Sequence, residues 1–496
     1  MKKCKPFILT TCLLFSLMGC DTGNISSNSV SPISSSQVGS TEVTSESTSV
    51  NSNTSSADTK NSFPSFFTSD NPGYQKTMND LAEYNPTLFD KNSLIQESID
   101  ALGDGVDYYK YHFNLNNSHR VIANVLEIDL KKASIDTNYS AGRACVADSI
   151  TDYESNSQSK VIAGANADFF GGSSSVNAYI KDQKIIKSGH NDNGSYDYTD
   201  PAADIPCSMP LLFGISGTKA QIAPIVKNQS VENTIKAKFT YKILCSHDGE
   251  NYFSIPTISK DAVRLRSGIN IMESLDTVTT IMENSMVYKI RKANDSGILM
   301  HGTIEDSYKQ SSEIRFQNTD PDYFYIIVTA DQQISLAKND AIAITTGSTD
   351  SHWDGYTSVM GGRQALIEDG KISSTVTLEN SNGAQVSDIP RTCIGILPDS
   401  KVLLTTIEAL RYNSNLTDVT FDDSYGVNLP ELAQFMRLLG CYDAVNFDGG
   451  GSTQLVLKDK YNGEGNQVLA VRSSDYGLNN PQSCRHVYNT ILVTTK

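Results

Sequence analysis

Ala444-Val445-Asn446-Phe447-Asp448-Gly449-Gly450-Gly451-Ser452 is a short apolar run that breaks into glycine. A second stretch has the same design: Val161-Ile162-Ala163-Gly164-Ala165 runs into Asn166-Ala167-Asp168-Phe169-Phe170-Gly171-Gly172. Residues two apart in an extended chain project from the same side, so Asn446 shares a face with Asp448, and Asn166 with Asp168, just before each turn. Glycine lets a backbone approach a ligand closely and swing its N–H groups toward an anion. Two polar strand ends of one design suggest one cleft. Its acids would be Asp168 and Asp448, and its contacts Asn166, Asn446, Gly449, Gly450, Gly451 and Ser452. Taken singly, each stretch reads equally well as a β-turn that opens on Asp and closes on Gly.

Strand-like runs surround both stretches. Tyr109, Tyr111 and Phe113 alternate with polar residues, Asn116-Asn117 reads as a turn, and Val121–Leu130 is β-rich. Further runs are 161–165, 323–329, 341–346, 392–397, 402–407, 444–447, 454–457 and 489–494. The clearest helix is 430–439. Asn428 caps it, Glu431 falls at the capping-box position, and Leu432, Phe435, Met436 and Leu439 form one stripe before a Gly440 stop. Residues 63–106 read as a short helical prelude, with Leu81, Tyr84, Leu88 and Leu94 at loose helical spacing. The expected fold is α+β: a strand-rich mixed-sheet domain over 107–496 with few helices, preceded by a disordered linker.

The N-terminus reads as an address. Lys2, Lys3 and Lys5 precede an apolar run, Phe7–Met18, that is too short to span a bilayer but suits a signal peptide over 1–19. Leu17-Met18-Gly19-Cys20 fits a bacterial lipobox, with lipid attached at Cys20. Half of the next 42 positions are Ser or Thr and none is aromatic, a composition that cannot offset the entropy of ordering. Residues 20–62 are therefore a tether. The expected location is the extracellular face of a bacterial membrane, through a lipid anchor at Cys20.

Charge narrows the partners. With 40 Lys and Arg against 56 Asp and Glu, the net charge is −16, which disfavours nucleic acid as a partner. An anionic substrate then needs a local cationic patch. Pro390-Arg391-Thr392-Cys393-Ile394-Gly395 and Arg485-His486-Val487 are the candidate sources, because a guanidinium offers paired donors to a phosphate and Thr392 adds a hydroxyl. Beyond Cys4, Cys12 and Cys20 there are six cysteines, 145, 207, 245, 393, 441 and 484, with no C-x-x-C pair. They are expected to be mostly free, buried thiols. No histidines pair at metal-ligand spacing; His352 beside Trp353 reads as packing, and Glu408 as an exposed strand-end acid.

Taken in order, several motifs resemble the phosphodiester glycosidase family. They are Asn166-Ala-Asp168-Phe-Phe, Gly361-Gly362 with Leu366 and Asp369-Gly370, Pro390-Arg391-Thr392-x-Ile394-Gly395, Leu432-Ala433 to Leu439-Gly440, Asn446-Phe-Asp448-Gly-Gly-Gly-Ser452, and Arg485-x-Val487-x-Asn489. The chain departs from the family at 407–411, where a D-G-R-like stretch is usual, and at Cys484 and His486, which flank Arg485.

The resemblance implies hydrolysis of sugar 1-phosphodiesters, such as N-acetylglucosamine 1-phosphodiesters, in envelope or exopolysaccharide glycans. Asp448, Asp168 and Arg391 would then be catalytic. Arg391, Thr392, Arg485 and the glycine N–H groups would clamp the phosphate, with His486 at the substrate. No cofactor is implied with certainty, although Asp168 and Asp448 could offer an oxygen site to Ca²⁺ or Mg²⁺. The competing expectation is a non-catalytic surface lectin for phosphorylated glycans.

Overall fold

The structure, a computed structural model, describes residues 89, 93–115, 119–171, 174–189, 196–197, 211–225, 236–249, 253–256, 259–264, 266–293, 300–348, 351–376, 387–409, 424–458, 467–469 and 484–496. The signal peptide, Cys20, the linker, Cys207, the 116–117 turn and residues 63–88 of the expected prelude lie outside them. No described helix is long and apolar enough to cross a membrane.

Strands dominate, and two α-helices, Val146–Asn156 and Leu429–Leu438, are the only ones among the described residues. An eight-stranded sheet runs, edge to edge, Leu94–Gly103, Val106–Leu115, His119–Asp129, Lys401–Ile407, Arg391–Ile396, Asp443–Asn446, Ala365–Glu368, Lys371–Ile372. A five-stranded sheet runs Gln467–Leu469, Leu455–Lys458, Val161–Asn166, Val487–Thr495, Ala133–Ala144. Both are antiparallel throughout. A second eight-stranded sheet holds the parallel pair Ser259–Lys260 with Ile269–Met272, which makes the fold mixed as expected.

Alternation along the strands builds the layers. In Arg391–Ile396 and Lys401–Ile407, Ile394, Val402 and Leu404 face Ala163, Leu455, Ile491 and Val493 of the five-stranded sheet. Cys393, Leu403 and Ile407 face the opposite way, onto Leu432, Phe435 and Met436 of the helix Leu429–Leu438. The helix Val146–Asn156 covers the outer side of the five-stranded sheet through Val146, Ile150 and Tyr153. The two sheets are thus each buried on both faces, helix outside and sheet inside, which accounts for the near-continuous apolar reading of their strands.

The capped helix forms as its sequence requires. Asn428 Oδ1 accepts from Glu431 N at 2.9 Å, Glu431 Oε2 accepts from Asn428 N at 3.1 Å, and Gly440 takes φ +85°. The helical prelude does not form at its described end: Leu94–Gly103 is an edge strand paired with Val106–Leu115 across Gly105. Local apolar spacing lost here to the ladder offered by the next strand, as tertiary context commonly overrides propensity. Of the five described cysteines beyond Cys20, Cys245, Cys393 and Cys441 are free and buried, as expected for most of them, while Cys145 and Cys484 form a disulfide with Cα atoms 5.9 Å apart.

The helix rests directly on the sheet at Gly395. A Cβ there would stand 2.8 Å from Met436 Cε and closer still to Cys441 Sγ. Gly395→Ala is expected to destabilise the fold by about 1–3 kcal/mol through overpacking. The chemical denaturation midpoint reads it, and an unchanged midpoint would mean that helix and sheet are not in this contact.

Candidate functional site

Asn166 ends the strand Val161–Asn166 fully buried, and its amide joins three segments. Oδ1 accepts from Thr392 Oγ1 at 2.8 Å and from Gln454 N at 3.0 Å, while Nδ2 donates to the Asp448 carbonyl at 2.7 Å. Asp448 N donates to the Ala167 carbonyl at 3.0 Å. The backbones bearing Asp168 and Asp448, 280 positions apart in the chain, are therefore hydrogen-bonded neighbours, as the paired motifs led one to expect.

The two acids differ. Asp168 is 2% exposed and accepts on both oxygens from Asn177, from Nδ2 at 2.7 Å and from N at 2.9 Å. The same Asn177 amide donates to the Gly362 carbonyl at 3.0 Å. Asp168 therefore braces the turn Gly361-Gly362-Arg363, where a Cβ on Gly361 would collide with Asn177. Burial pushes Asp168 up to about 7, against the Asn177 donors and Lys187. Asp448 is only partly covered. Burial pushes it up to about 6, against Ser452, Arg485, the Gly449 N–H and Arg363.

The cations near Asp448 are exposed Arg363 and Arg485. Arg363 lies over the Phe169 ring, 5.8 Å from its centroid, and its N–H donates to the Asn446 carbonyl at 3.0 Å. Arg485 is held from two sides: its carbonyl accepts from Gln454 Nε2 at 2.8 Å, and its neighbour Cys484 is bonded to Cys145 at the cap of the helix Val146–Asn156. His486 is exposed beside it.

Several expected contacts serve the scaffold instead. Arg391 is 5% exposed. Its Nε donates to the Val427 carbonyl at 3.0 Å and one terminal nitrogen to the Ser387 carbonyl at 2.9 Å. The acids that act on it are Asp388 and Glu431, neither of them a cleft acid, and burial lowers it to about 10. Thr392 spends its hydroxyl on Asn166.

The glycine triplet is likewise not an open anion nest. Gly449 N donates to Asp448 Oδ1 at 3.0 Å, Gly450 N to the Pro390 carbonyl at 2.9 Å and Ser452 N to the Gly449 carbonyl at 3.2 Å. Glycine is required here for shape: a Cβ on Gly449 would stand 2.7 Å from the Pro390 oxygen, and Gly450 has φ +62°. Glu408 is buried rather than exposed. It accepts from Asn124 Nδ2 at 3.2 Å and pairs with Lys110 at 3.7 Å. Trp353 is buried and donates to the Pro224 carbonyl, with His352 on the same oxygen, so both pack as expected.

Among the described residues, several buried polar atoms on these segments lack protein partners: Asn446 Oδ1, Thr453 Oγ1 and both amide atoms of Asn489. Such atoms are costly to leave unmet, and they mark where a polar ligand or ordered water belongs. A hard cation does not suit the acids. Both oxygens of Asp168 already accept N–H donors, and the charges around Asp448 are guanidinium groups. Arg363 escaped the sequence reading although it directly follows the Gly361-Gly362 motif; only the Asn177 bridge reveals that the motif aims it.

Unfolded, these carboxyls would release their protons near about pH 4. Folded, they hold them to about 6 and about 7. The folded state binds more protons across that window, so their contribution to stability falls as pH rises through it. Asp448→Asn is expected to flatten this decline when urea midpoints are compared between about pH 4.5 and about pH 7.5. Parallel curves for parent and variant would rule out a raised Asp448.

Residues 279–494 match the family described as phosphodiester glycosidase. No curated protein matches the chain. Among solved structures, it is similar to a hypothetical protein from Synechocystis, at 16% identity and TM-score 0.42, covering 81% of this chain and 64% of that one. It is also similar to a Burkholderia pseudomallei protein described as exported, at 15% identity and TM-score 0.36, covering 76% and 74%. A third is the zebrafish N-acetylglucosamine-1-phosphodiester alpha-N-acetylglucosaminidase catalytic domain auto-inhibited by its pro-peptide, at 14% identity and TM-score 0.36, covering 81% and 88%. The chain thus spans just under two thirds of the length of the Synechocystis protein.

Proposed function

From the premise that residues 279–494 are a stretch of the phosphodiester glycosidase family, we propose that this protein hydrolyses the bond between a sugar C1 and a phosphodiester oxygen. The observation that carries the reading is the Asp448 carboxyl, raised by burial, with two exposed guanidinium groups, Arg363 and Arg485, acting on it.

The C1–O bond breaks with its electron pair going to the phosphate, which departs as a phosphomonoester, and a water oxygen bonds to C1 as one of its protons passes to the Asp448 carboxylate and on to solvent. A phosphate leaves with little protonation, so cations that hold its charge matter more than a general acid. Arg363 and Arg485 serve that end. Asp448 supplies the carboxylate that an oxocarbenium-like transition state needs. Asp168, buried and saturated by Asn177, acts through the turn that presents Arg363. Arg391 braces the 387–391 and 427 backbones behind the glycine loop.

The setting proposed is the outer face of a bacterial membrane, with lipid at Cys20 and the Ser/Thr-rich segment as tether, and the substrates are phosphorylated envelope or exopolysaccharide glycans. The apolar run before a cysteine supports this reading.

Incubation with UDP-N-acetylglucosamine or a chromogenic sugar phosphodiester should release sugar. Asp448→Asn should lower kcat by about 10²–10⁴-fold. Arg363→Ala should lower kcat/KM by about 10- to 100-fold, the worth of a charge-assisted hydrogen bond of about 1.5–3 kcal/mol. Because Asp448 works ionised, activity should rise as pH passes about 6. Saturable binding of the sugar phosphate with no release, in the parent and in Asp448→Asn alike, would show a lectin instead.

In a bacterial host, Cys20→Ala should shift the protein from the membrane fraction to the medium or leave it unprocessed. Unchanged fractionation and processing would refute the anchor.

A further inference from the structure

The second eight-stranded sheet lies apart from the cleft residues in sequence and carries a cluster of its own. Cys245 and His247 are two apart, at the end of the strand Thr240–Ser246 and just past it. That strand pairs with Ala341–Gly347 in the register Cys245↔Ile342 and Ser246↔Ala341, which sets Asp340 opposite His247. The thiol, the imidazole and the carboxylate offer ligand atoms all within 4.8 Å of one another.

We propose that Cys245, His247 and Asp340 form a binding site for one zinc ion, or another divalent cation of similar softness, with the fourth position open to solvent or an exogenous ligand. Thiolate, imidazole and carboxylate form a mixed donor set suited to zinc and unlike the oxygen sets that hold calcium or magnesium. Cys245 Sγ stands 3.6 Å from Asp340 Oδ2, and His247 Nδ1 stands 2.9 Å from Asp340 Oδ1. The thiol and the imidazole thus flank the carboxylate at different oxygens, and binding through a single oxygen, with a position left open, asks that the carboxylate turn so that one oxygen faces both.

Burial sets the accessibility. Cys245 and Asp340 are buried, while the His247 side chain is 54% exposed and leaves the open position facing water. The carboxylate is oriented by Ala337 N at 2.7 Å, the kind of outer partner that steadies a metal ligand. Binding displaces the thiol proton to solvent: Cys–SH and M²⁺ give Cys–S–M⁺ and H⁺. The bound ion would clip the strand Thr240–Ser246 to the turn at 337–340. The site shares no residue with the glycosidase cleft, so either proposal can fail without the other.

Chelator-stripped full-chain protein is titrated with Co²⁺ and then Zn²⁺. One Co²⁺ per chain should give the intense visible bands of a tetrahedral site and a near-ultraviolet thiolate-to-cobalt band, both abolished by Zn²⁺. Cys245→Ser should remove the thiolate band. His247→Ala, at an exposed side chain, should weaken affinity by at least about tenfold and leave glycosidase activity unchanged. Zn²⁺ should raise the Tm of the parent and not of either variant. The proposal fails if cobalt gives only weak octahedral bands, or if the thiolate band survives in Cys245→Ser.

Discussion

The amide of Asn166 is the constraint on which the candidate site depends. Fully buried at the end of its strand, it accepts hydrogen bonds from the Thr392 hydroxyl and the Gln454 N–H and donates one to the Asp448 carbonyl. A buried amide left unmatched costs about 1–3 kcal/mol per group, so these three segments can close only in the arrangement that satisfies it. The donor and acceptor ends of one side chain thereby set where the glycine loop lies relative to both acids. An aspartate here would lack the donor to Asp448, and a leucine would lack everything.

A second constraint works outward from Asp168. Its carboxylate is saturated by one residue, Asn177, which also holds the Gly362 carbonyl. The small Gly361-Gly362 pair lets Asn177 approach and leaves Arg363 standing at the cleft edge. On the opposite edge, the Cys145–Cys484 disulfide and Gln454 hold Arg485. Asp448 thus lies near two cations supplied from different sheets, in a chain whose overall charge is strongly negative. Charge complementarity is local and is built by the fold.

Roles divide by burial. Arg391 and Thr392 have the residue types expected of a phosphate clamp, yet both are nine-tenths or more buried and hydrogen-bonded to protein. The N–H groups of Gly449, Gly450 and Ser452 are likewise spent on protein acceptors. The guanidinium groups that remain exposed near Asp448 are those of Arg363 and Arg485. Residue type singled out the right neighbourhood, but hydrogen-bond accounting decides which members face a substrate.

From its letters alone, the chain revealed its class, its main strands, its capped helix and the pairing of two Asn-x-Asp strand ends. These features rest on alternation, capping and glycine punctuation, all of which act within a few residues. The edge strand Leu94–Gly103, the disulfide, the burial of Arg391 and Glu408, the aim of Arg363 and the meeting of Cys245 and His247 with Asp340 came only with tertiary structure. Each depends on a partner far away in sequence, up to 339 positions for Cys145 and Cys484. Periodicity carries no information about which strand, carbonyl or thiol a residue will meet, because that is settled by how sheets stack and which buried polar groups must be satisfied together.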